Sequence, residues 1–171
     1  DKYYLAENYK AALPFCTAAA EQGDKGDQIT LGFMYENGQG VLQDYKQAVH
    51  WYTKAAEQGY ASAQSNLVFM YDNGEGVPQD HKQAVYWYTK AAKQGDAMAQ
   101  FNLGYMYSEG KGVPQDYKQA VYWYTKAAEQ GDFKAQFNLG LKYDQGQGVP
   151  QDYKPAVHWY TKAAEQGHAM A

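Results

Sequence analysis

The residue types that most often carry catalysis or bind metals are scarce in this sequence. It has one cysteine and four histidines: Cys16, His50, His81, His158 and His168. Zinc sites and metalloprotease motifs place two ligands at short helical spacings, such as two histidines four residues apart. No histidine pair has that spacing, and no histidine lies near Cys16 in sequence to act as its base. We therefore expect no metal site, no cofactor and no cysteine nucleophile, and we expect Cys16 to be a small buried residue.

Gly-rich tetrapeptides are the second feature that could carry chemistry. GQGV at 38–41 is followed by GEGV at 74–77, GKGV at 110–113 and GQGV at 146–149. A dinucleotide-binding loop needs a third glycine after a strand, and a P-loop needs a lysine followed by serine or threonine. None of the tetrapeptides meets either condition. Their regular recurrence favours a structural turn over a phosphate site.

Carboxylates are the third feature, because some all-helical superhelices cleave glycans. Such an enzyme needs a carboxyl group whose pKa is raised in an apolar pocket. Glu109 is the candidate for that role, since the other acidic residues considered below form the edge of a separate surface. A lectin is a related alternative, because 18 Tyr and 4 Trp could stack on sugars. We expect no catalysis, and we keep both glycan functions as alternatives.

Composition and charge exclude several classes of partner. The 171-residue chain has a net charge of −4, and all 15 of its basic residues are lysine. Arginine is the usual bidentate ligand of phosphate and guanine, so its absence argues against nucleic-acid binding. No apolar run approaches the roughly 20 residues that span a bilayer. The sequence begins at Asp1 and shows no signal peptide, which is compatible with either a removed signal or a shortened chain.

One stretch of sequence is written four times. DYKQAVYWYTKAAEQG at 116–131 has near-copies that end at Gly59, Gly95 and Gly167, and a diverged half-copy at 8–23. The spacing 95 − 59 gives a period of 36 residues. Periods of this length are typical of stacked supersecondary units. We predict a single domain over 1–171, with a half-repeat at 8–23, full repeats at 24–59, 60–95, 96–131 and 132–167, and the start of another repeat at 168–171.

Each repeat is predicted to be a pair of helices. Asp44, Asp80, Asp116 and Asp152 stand where the N-cap of the second helix belongs, and a glutamine three residues later completes a capping box in three copies. Pro155 replaces that glutamine in the fourth copy. The glycine that closes each copy ends the helix. The first helix of the second repeat is predicted over about 61–72, and Pro14 is predicted to kink or shorten the helix of the half-copy.

The repeated residues resemble the Sel-one-like repeat, a relative of the tetratricopeptide repeat. The resemblance rests on AQFNLGYMYSEGKGVPQDYKQAVYWYTKAAEQG (99–131), which recurs with small changes through 24–167. It implies an all-α, right-handed α-α superhelix in which the first helices line the concave side. It also implies a bacterial adaptor that holds proteins together, and favours the periplasm or secretion over the cytoplasm.

The first helices contain the positions that differ between repeats. Gln64, Leu67 and Tyr71 recur in every copy and lie within about 60° of one another, while the variable positions lie on the opposite side. A residue present in every copy serves stacking, so recognition of a partner is expected at the variable positions. We define these as the first-helix band: Phe33, Glu36, Ser65, Phe69, Asp72, Met98, Phe101, Tyr105, Ser108, Glu109, Lys134, Phe137, Leu141 and Asp144.

The first-helix band predicts a groove for an apolar segment of a partner protein or peptide, with Glu36, Asp72, Glu109 and Asp144 favouring a basic flank. Aromatic residues at helical spacing also fit a packing role, so each of the aromatics could instead contact the next repeat. A purely structural spacer is a further alternative. We expect a monomeric, non-enzymatic scaffold.

Overall fold

The computed structural model describes residues 2–166, with side chains from residue 8 onward. Helices account for all the regular secondary structure of this part of the chain. Their bounds are α1 (Lys2–Glu21), α2 (Lys25–Asn37), α3 (Tyr45–Glu57), α4 (Ala61–Asn73), α5 (His81–Lys93), α6 (Ala97–Glu109), α7 (Tyr117–Glu129), α8 (Phe133–Gln145) and α9 (Tyr153–Glu165). No helix within 2–166 is long and apolar enough to cross a membrane.

The chain divides into two compact units, Asp1–Trp87 and Tyr88–Ala171. Within the first unit, α2 packs against both α1 and α3, and α3 packs against α4. Within the second unit, α7 packs against both α6 and α8, and α8 packs against α9. Within each unit, these helices therefore pack against their neighbours in sequence, as expected for stacked repeats.

The second helices begin as predicted, at an aspartate N-cap. Asp44 Oδ1 accepts hydrogen bonds from the backbone N–H groups of Lys46 and Gln47 at 2.9 and 3.1 Å. The other half of the predicted capping box, a bond from the backbone N–H of Asp44 to the side chain of Gln47, is not formed. The N–H of Asp44 instead donates to the carbonyl of Tyr35, at the end of α2, at 2.9 Å. The glutamine at this helix position is therefore not needed as a cap, which explains why Pro155 can replace it.

The second helix buries one apolar face. In α3, the buried residues are Ala48, Val49, Trp51, Tyr52, Ala55 and Ala56, whereas Lys46, Gln47 and His50 are exposed. The helix ends at Gly59, whose φ of 87° lies in the left-handed region. Tyr60 then donates its N–H to the carbonyl of Ala55 at 3.2 Å, as in a Schellman motif. The equivalent Gly167 lies outside the described residues.

The Gly-rich tetrapeptides are turns that permit a close approach between repeats. In the second repeat, the first glycine, Gly74, ends α4 with a φ of 74°. The second glycine, Gly76, has a φ of 73°, and a Cβ placed there would overlap the backbone carbonyl of Tyr45 in the preceding repeat. Gly148 contacts the backbone of Tyr117 in the same way. This packing gives the recurring GxGV a structural role.

Buried glutamines connect consecutive repeats. Gln28, Gln64, Gln100 and Gln136 are each at most 5% exposed. Gln100 Nε2 donates to the carbonyl of Ala92 at 3.1 Å, and Gln100 Oε1 accepts from Gln130 Nε2 at 2.8 Å. Gln130 Nε2 also lies 2.9 Å from the carbonyl of Gly95. These bonds satisfy the end of one second helix with side chains from the next repeat, so the recurring glutamines serve stacking, as their recurrence predicts.

Pro14 and Lys142 depart from the repeat pattern, and the helices accommodate both residues. Pro14 does not shorten the helix of the half-copy, because α1 continues through it to Glu21. Its missing N–H removes one backbone hydrogen bond from a helix that is held by packing against α2. Lys142 stands where the other repeats have Met34, Met70 and Met106, and it is only 6% exposed.

Candidate functional site

The structure places the largest side chains of the first-helix band at the surface. The exposed fractions are 42% for Phe33, 51% for Phe69, 57% for Met98 and 41% for Tyr105. Phe33 and Phe69 lie in the first unit, and Met98 and Tyr105 lie in the second. By contrast, the recurring Leu31, Leu67, Leu103 and Leu139 on the same helices are at most 1% exposed. The variable sides of the first helices therefore present apolar groups to solvent, while the recurring sides form the core.

Two aromatics of the first-helix band take part in packing. Phe101 packs with its ring centroid 5.9 Å from that of Tyr124, and Phe137 lies 5.5 Å from Tyr160. Both phenylalanines are half-buried. These contacts are with the second helix of the same repeat, so they give the two residues a packing role but not the predicted contact with the next repeat.

Ser108 is a correction to the predicted site. It is only 4% exposed. The position is equivalent to Glu36, whose carboxylate accepts a 2.5 Å hydrogen bond from the hydroxyl of Tyr52. A side chain as buried as that of Ser108 offers little surface to a partner. The other polar and aliphatic members of the first-helix band are half-buried (Ser65 and Leu141) or exposed (Lys134).

The acidic edge of the first-helix band is held largely by contacts within the chain. Besides Glu36, Asp72 Oδ1 lies 2.8 Å from His81 Nδ1. Asp144 lies near Tyr160, where burial first and this carboxylate second raise the pKa of the phenol. Glu109 is the exposed member of the edge. The edge carries negative charge, and two of its four carboxylates, Glu36 and Asp72, already have a hydrogen-bond or ion-pair partner.

The chemical alternatives gain no support from the geometry. Glu109 is exposed, which does not suit a general acid that depends on an apolar pocket. The described residues contain no cluster of three or more histidine, cysteine or acidic side chains that could hold a metal ion. Burial, followed by the nearby Asp27 carboxylate, raises the pKa of Cys16, so this half-buried thiol stays protonated at neutral pH.

Sequence reasoning missed a cavity on the polar side of the second helices. It has a volume of about 300 Å³ and lies in the second unit, between the end of α5, the start of α6 and the middle of α7. Its lining includes Lys93, Tyr122, Trp123 and Lys126. The available signal was Lys93, which replaces the glutamate found at Glu57, Glu129 and Glu165 in the other copies.

The helix pairs and their period match a known family. A model of the Sel1 repeat matches residues 28–60, 61–96, 97–132 and 133–168. The chain belongs to the Sel1 repeat family. The matched starts are separated by 97 − 61 and 133 − 97, or 36 residues each, which is the predicted period. The resemblance inferred from the sequence and the all-α solenoid fold are both confirmed. The handedness and the single domain stay predictions.

Solved structures of bacterial Sel1 repeat proteins are similar to this chain. A protective antigen of uropathogenic Escherichia coli strains is 48% identical over 91% of this chain, with a TM-score of 0.82. A Sel1 repeat protein from Oxalobacter formigenes is 42% identical over 96% of this chain and 68% of its own length, with a TM-score of 0.87. Cysteine-rich protein B of Helicobacter pylori is 28% identical over 77% of this chain and 94% of its own, with a TM-score of 0.57.

The chain spans only 33% of the length of the E. coli antigen. No curated protein matches this sequence. Sel1 repeat proteins are generally scaffolds for protein interactions rather than enzymes.

Proposed function

We propose that this protein is a non-enzymatic scaffold that binds a partner protein or peptide through the first-helix band. The observation that supports this most is the exposure of Phe33, Phe69, Met98 and Tyr105, which is 41% to 57%, on helices whose recurring residues are buried. Exposed aromatic and methionine side chains are typical anchors of protein interfaces. Apolar groups of the partner would cover the exposed pair in each unit.

Internal recurrence supports the same surface. Every repeat needs the same stacking contacts, so the positions that stacking requires are the same in all copies. Phe69, Tyr105 and Leu141 occupy equivalent positions in successive repeats and differ in size and polarity. Such variation suits a partner that presents a different side chain to each repeat. Glu109 adds an exposed negative charge next to Tyr105, which favours a basic residue beside the apolar segment.

The test uses a variant chosen for exposure rather than for sequence pattern alone. Phe33→Ala, Phe69→Ala, Met98→Ala and Tyr105→Ala remove the four exposed anchors and leave the packed Phe101 and Phe137 in place. The wild-type chain is used to capture proteins from an extract of its source organism. A captured protein is then purified and its dissociation constant measured against both chains. We expect binding to weaken at least tenfold in the variant, and the helical circular dichroism signal to be unchanged.

The matched control is Leu42→Ala. Leu42 is 91% exposed, but it lies in the turn before α3 and not in the first-helix band. It removes exposed apolar surface elsewhere and is expected to leave binding unchanged. Equal binding of the wild type and the folded four-residue variant would overturn the proposed surface and place the site elsewhere on the chain. Capture of no protein by the wild type would leave the spacer and glycan alternatives.

A further inference from the structure

A second surface of the chain has the features of a binding site of its own. It is the cavity of about 300 Å³ in the second unit, lined by Lys93, Gly95, Gln100, Tyr122, Trp123 and Lys126. It is formed by second helices and the start of α6, so none of the first-helix band lines it. We propose that this cavity binds an acidic side chain of a peptide segment, together with an apolar or aromatic group beside that acid.

Two residues that line the cavity, Gly95 and Gln100, are already hydrogen-bonded within the chain. Gln130 Nε2 donates to Gln100 Oε1 at 2.8 Å and to the carbonyl of Gly95 at 2.9 Å. Gln100 Nε2 in turn donates to the carbonyl of Ala92 at 3.1 Å. Because these amide and carbonyl groups satisfy one another, the groups that remain for a ligand are the two lysine ammoniums and the ring surfaces. A site whose lining residues are held in this way needs little reordering on binding.

The charge of the cavity favours a carboxylate. Lys93 and Lys126 are both exposed, and neither forms an ion pair with a carboxylate in the described part of the chain. Lys126 Nζ lies 5.9 Å from the ring centroid of Tyr122. These two cations are the charged residues among those that line the cavity, in a chain of net charge −4. An acidic ligand is attracted to such a site, and a basic one is repelled.

The aromatic side chains of the cavity offer a surface for the apolar or aromatic group of the peptide. Tyr122 is 51% exposed, and its ring meets that of Trp123 edge to face, with centroids 4.9 Å apart. Trp123 is half-buried, whereas the equivalent Trp51 is only 7% exposed. These rings offer an apolar surface next to the lysines. A peptide that places an aromatic or aliphatic residue beside glutamate or aspartate would use both features.

Lys93 is the residue that distinguishes this cavity from the equivalent region of the next repeat. There the corresponding residues are Glu129, His158 and Lys162, so a carboxylate replaces one of the two cations. This departure makes Lys93→Glu a variant that the fold already accommodates at the same helix position. Lys93 is also the last residue of α5, where a cation stabilises a helix by its dipole. A role confined to the helix end predicts lower stability in Lys93→Glu with no change in binding.

The test pans a phage-displayed library of random heptapeptides against the wild-type chain and against Lys93→Glu. We expect peptides that combine acidic and aromatic residues to be enriched on the wild type only. An enriched peptide is then synthesised and its affinity measured by fluorescence anisotropy. Lys93→Glu and Lys126→Gln are each expected to weaken binding at least tenfold, as is replacing the acidic residues of the peptide by their amides. Lys118→Glu, a charge reversal at an exposed lysine of α7 outside the cavity, is expected to leave the affinity unchanged.

A second measurement locates the bound peptide. The indole N–H resonance of Trp123, identified by its loss in Trp123→Phe, is expected to shift on titration with the peptide. The proposal is overturned by enrichment that does not depend on Lys93, by peptides without acidic residues, or by an unshifted Trp123 resonance. Glucuronic acid or inorganic phosphate that binds as tightly as the peptide would replace the peptide by a small anion. The four-residue variant of the first-helix band is expected to retain this binding, so the two proposals fail separately.

Discussion

Gly76 shows how the absence of one side chain allows two repeats to pack closely. Its left-handed backbone turns the chain after α4, and its missing Cβ lets the turn lie directly on the backbone of Tyr45. Gly59 has a similar positive φ of 87°, but a Cβ there would meet nothing within 4 Å. Gly59 is therefore needed for its backbone conformation alone, whereas Gly76 is needed both for its conformation and for the close contact between repeats.

We expect Gly76→Ala to lower the free energy of unfolding more than Gly59→Ala does. A left-handed alanine costs about 1–2 kcal/mol at either position. Gly76→Ala adds the cost of an overlap with backbone, which is about 1–3 kcal/mol in a well-packed region. Urea unfolding followed by circular dichroism measures both variants. Equal losses in the two variants would show that the close approach contributes nothing to stability.

Lys142 is a charged side chain in a buried position. Its ammonium donates to Gln147 Oε1 at 2.7 Å and lies 4.5 Å from the ring centroid of Tyr117. Burial lowers the pKa of Lys142, and the charge of Glu109 opposes that shift only in part. In the first repeat the equivalent pair is Met34 and Gln39, and there the buried Gln39 Oε1 has no hydrogen-bond partner among the described residues. The lysine thus satisfies its glutamine at the expense of burying a charge.

We expect Lys142→Met to raise the free energy of unfolding at pH 7 by roughly 1 kcal/mol, because an uncharged side chain removes the desolvation cost. Since the folded pKa lies below the ordinary lysine value of about 10.4, the unfolded chain binds more protons at this site between the two values. The contribution of Lys142 to stability therefore rises with pH through that window. The advantage of the methionine variant should shrink between pH 7 and pH 10.

The comparison is made by urea unfolding at both pH values. Lys118→Met, at an exposed lysine of α7, serves as the control and should change stability by no more than about 0.5 kcal/mol. A methionine variant that is less stable than the wild type at pH 7 would contradict the expectation. That result would mean that the bond to Gln147 outweighs the cost of burying the ammonium.

At the level of helices, the sequence predicted starts and ends well because each signal acts on the nearest backbone groups. The predicted helix 61–72 is observed as Ala61–Asn73, and the aspartate N-caps are observed in α3, α7 and α9. The errors arose where a distant group competed. The backbone N–H of Asp44 donates to the carbonyl of Tyr35, whereas a capping box would have it donate to the side chain of Gln47. Helix α1 continues past Pro14 and packs against α2. Neither competitor can be identified from the local sequence.

We expect Asp116→Ala to destabilise the protein more than Asp152→Ala. Asp116 Oδ1 accepts from both Lys118 N and Gln119 N, at 2.9 and 3.0 Å. Asp152 Oδ1 accepts from Lys154 N alone, because Pro155 has no N–H to donate. Loss of an N-cap costs about 0.5–2 kcal/mol, so Asp116→Ala should lie nearer the upper end. Thermal unfolding followed by circular dichroism measures the difference, and a larger loss for Asp152→Ala would count against this account of the caps.

At the level of the whole chain, the buried glutamines and closing glycines make consecutive repeats equivalent. Asp96 donates its N–H to the carbonyl of Ala91 at 3.2 Å, and Asp132 donates to Ala127 at 3.1 Å. Gln58, Gln130 and Gln166 each donate to the buried glutamine of the same repeat at 2.8 Å. Removing one complete repeat should therefore join two ends that fit each other.

We expect deletion of residues 96–131, which removes one period of 36, to give a folded and less stable chain. Asp132 then follows Gly95 and can take the place of Asp96. The ellipticity per residue at 222 nm should be unchanged, while the free energy of unfolding falls because one interface is lost. Deletion of 96–133 removes two more residues and places Lys134 after Gly95, without an N-cap. Equal ellipticity and stability in the two deletions would contradict the equivalence of the junctions.

The candidate sites were less predictable from the sequence than the fold was. Variation between repeats located Phe33, Phe69, Met98 and Tyr105 on one side of each first helix, and the structure exposes all four. The same variation also selected Ser108, which the fold buries. Burial depends on tertiary packing, which variation between repeats does not reveal. Lys93 was overlooked because a change from glutamate to lysine on a solvated helix face looks neutral. The proposed role of Lys93 depends on Lys126, which lines the same cavity but lies 33 positions away in the sequence.

The identical junctions also have a consequence for the gene. If the near-identity of the protein copies extends to their codons, recombination out of register becomes possible. A crossover between two copies would then add or remove whole multiples of 36 codons. Each product would keep every glutamine contact and every close glycine, because the junction it creates is one that already exists in the chain. Alleles of this gene should therefore differ in length by whole repeats, and the ancestral number of copies should be hard to recover from the protein itself.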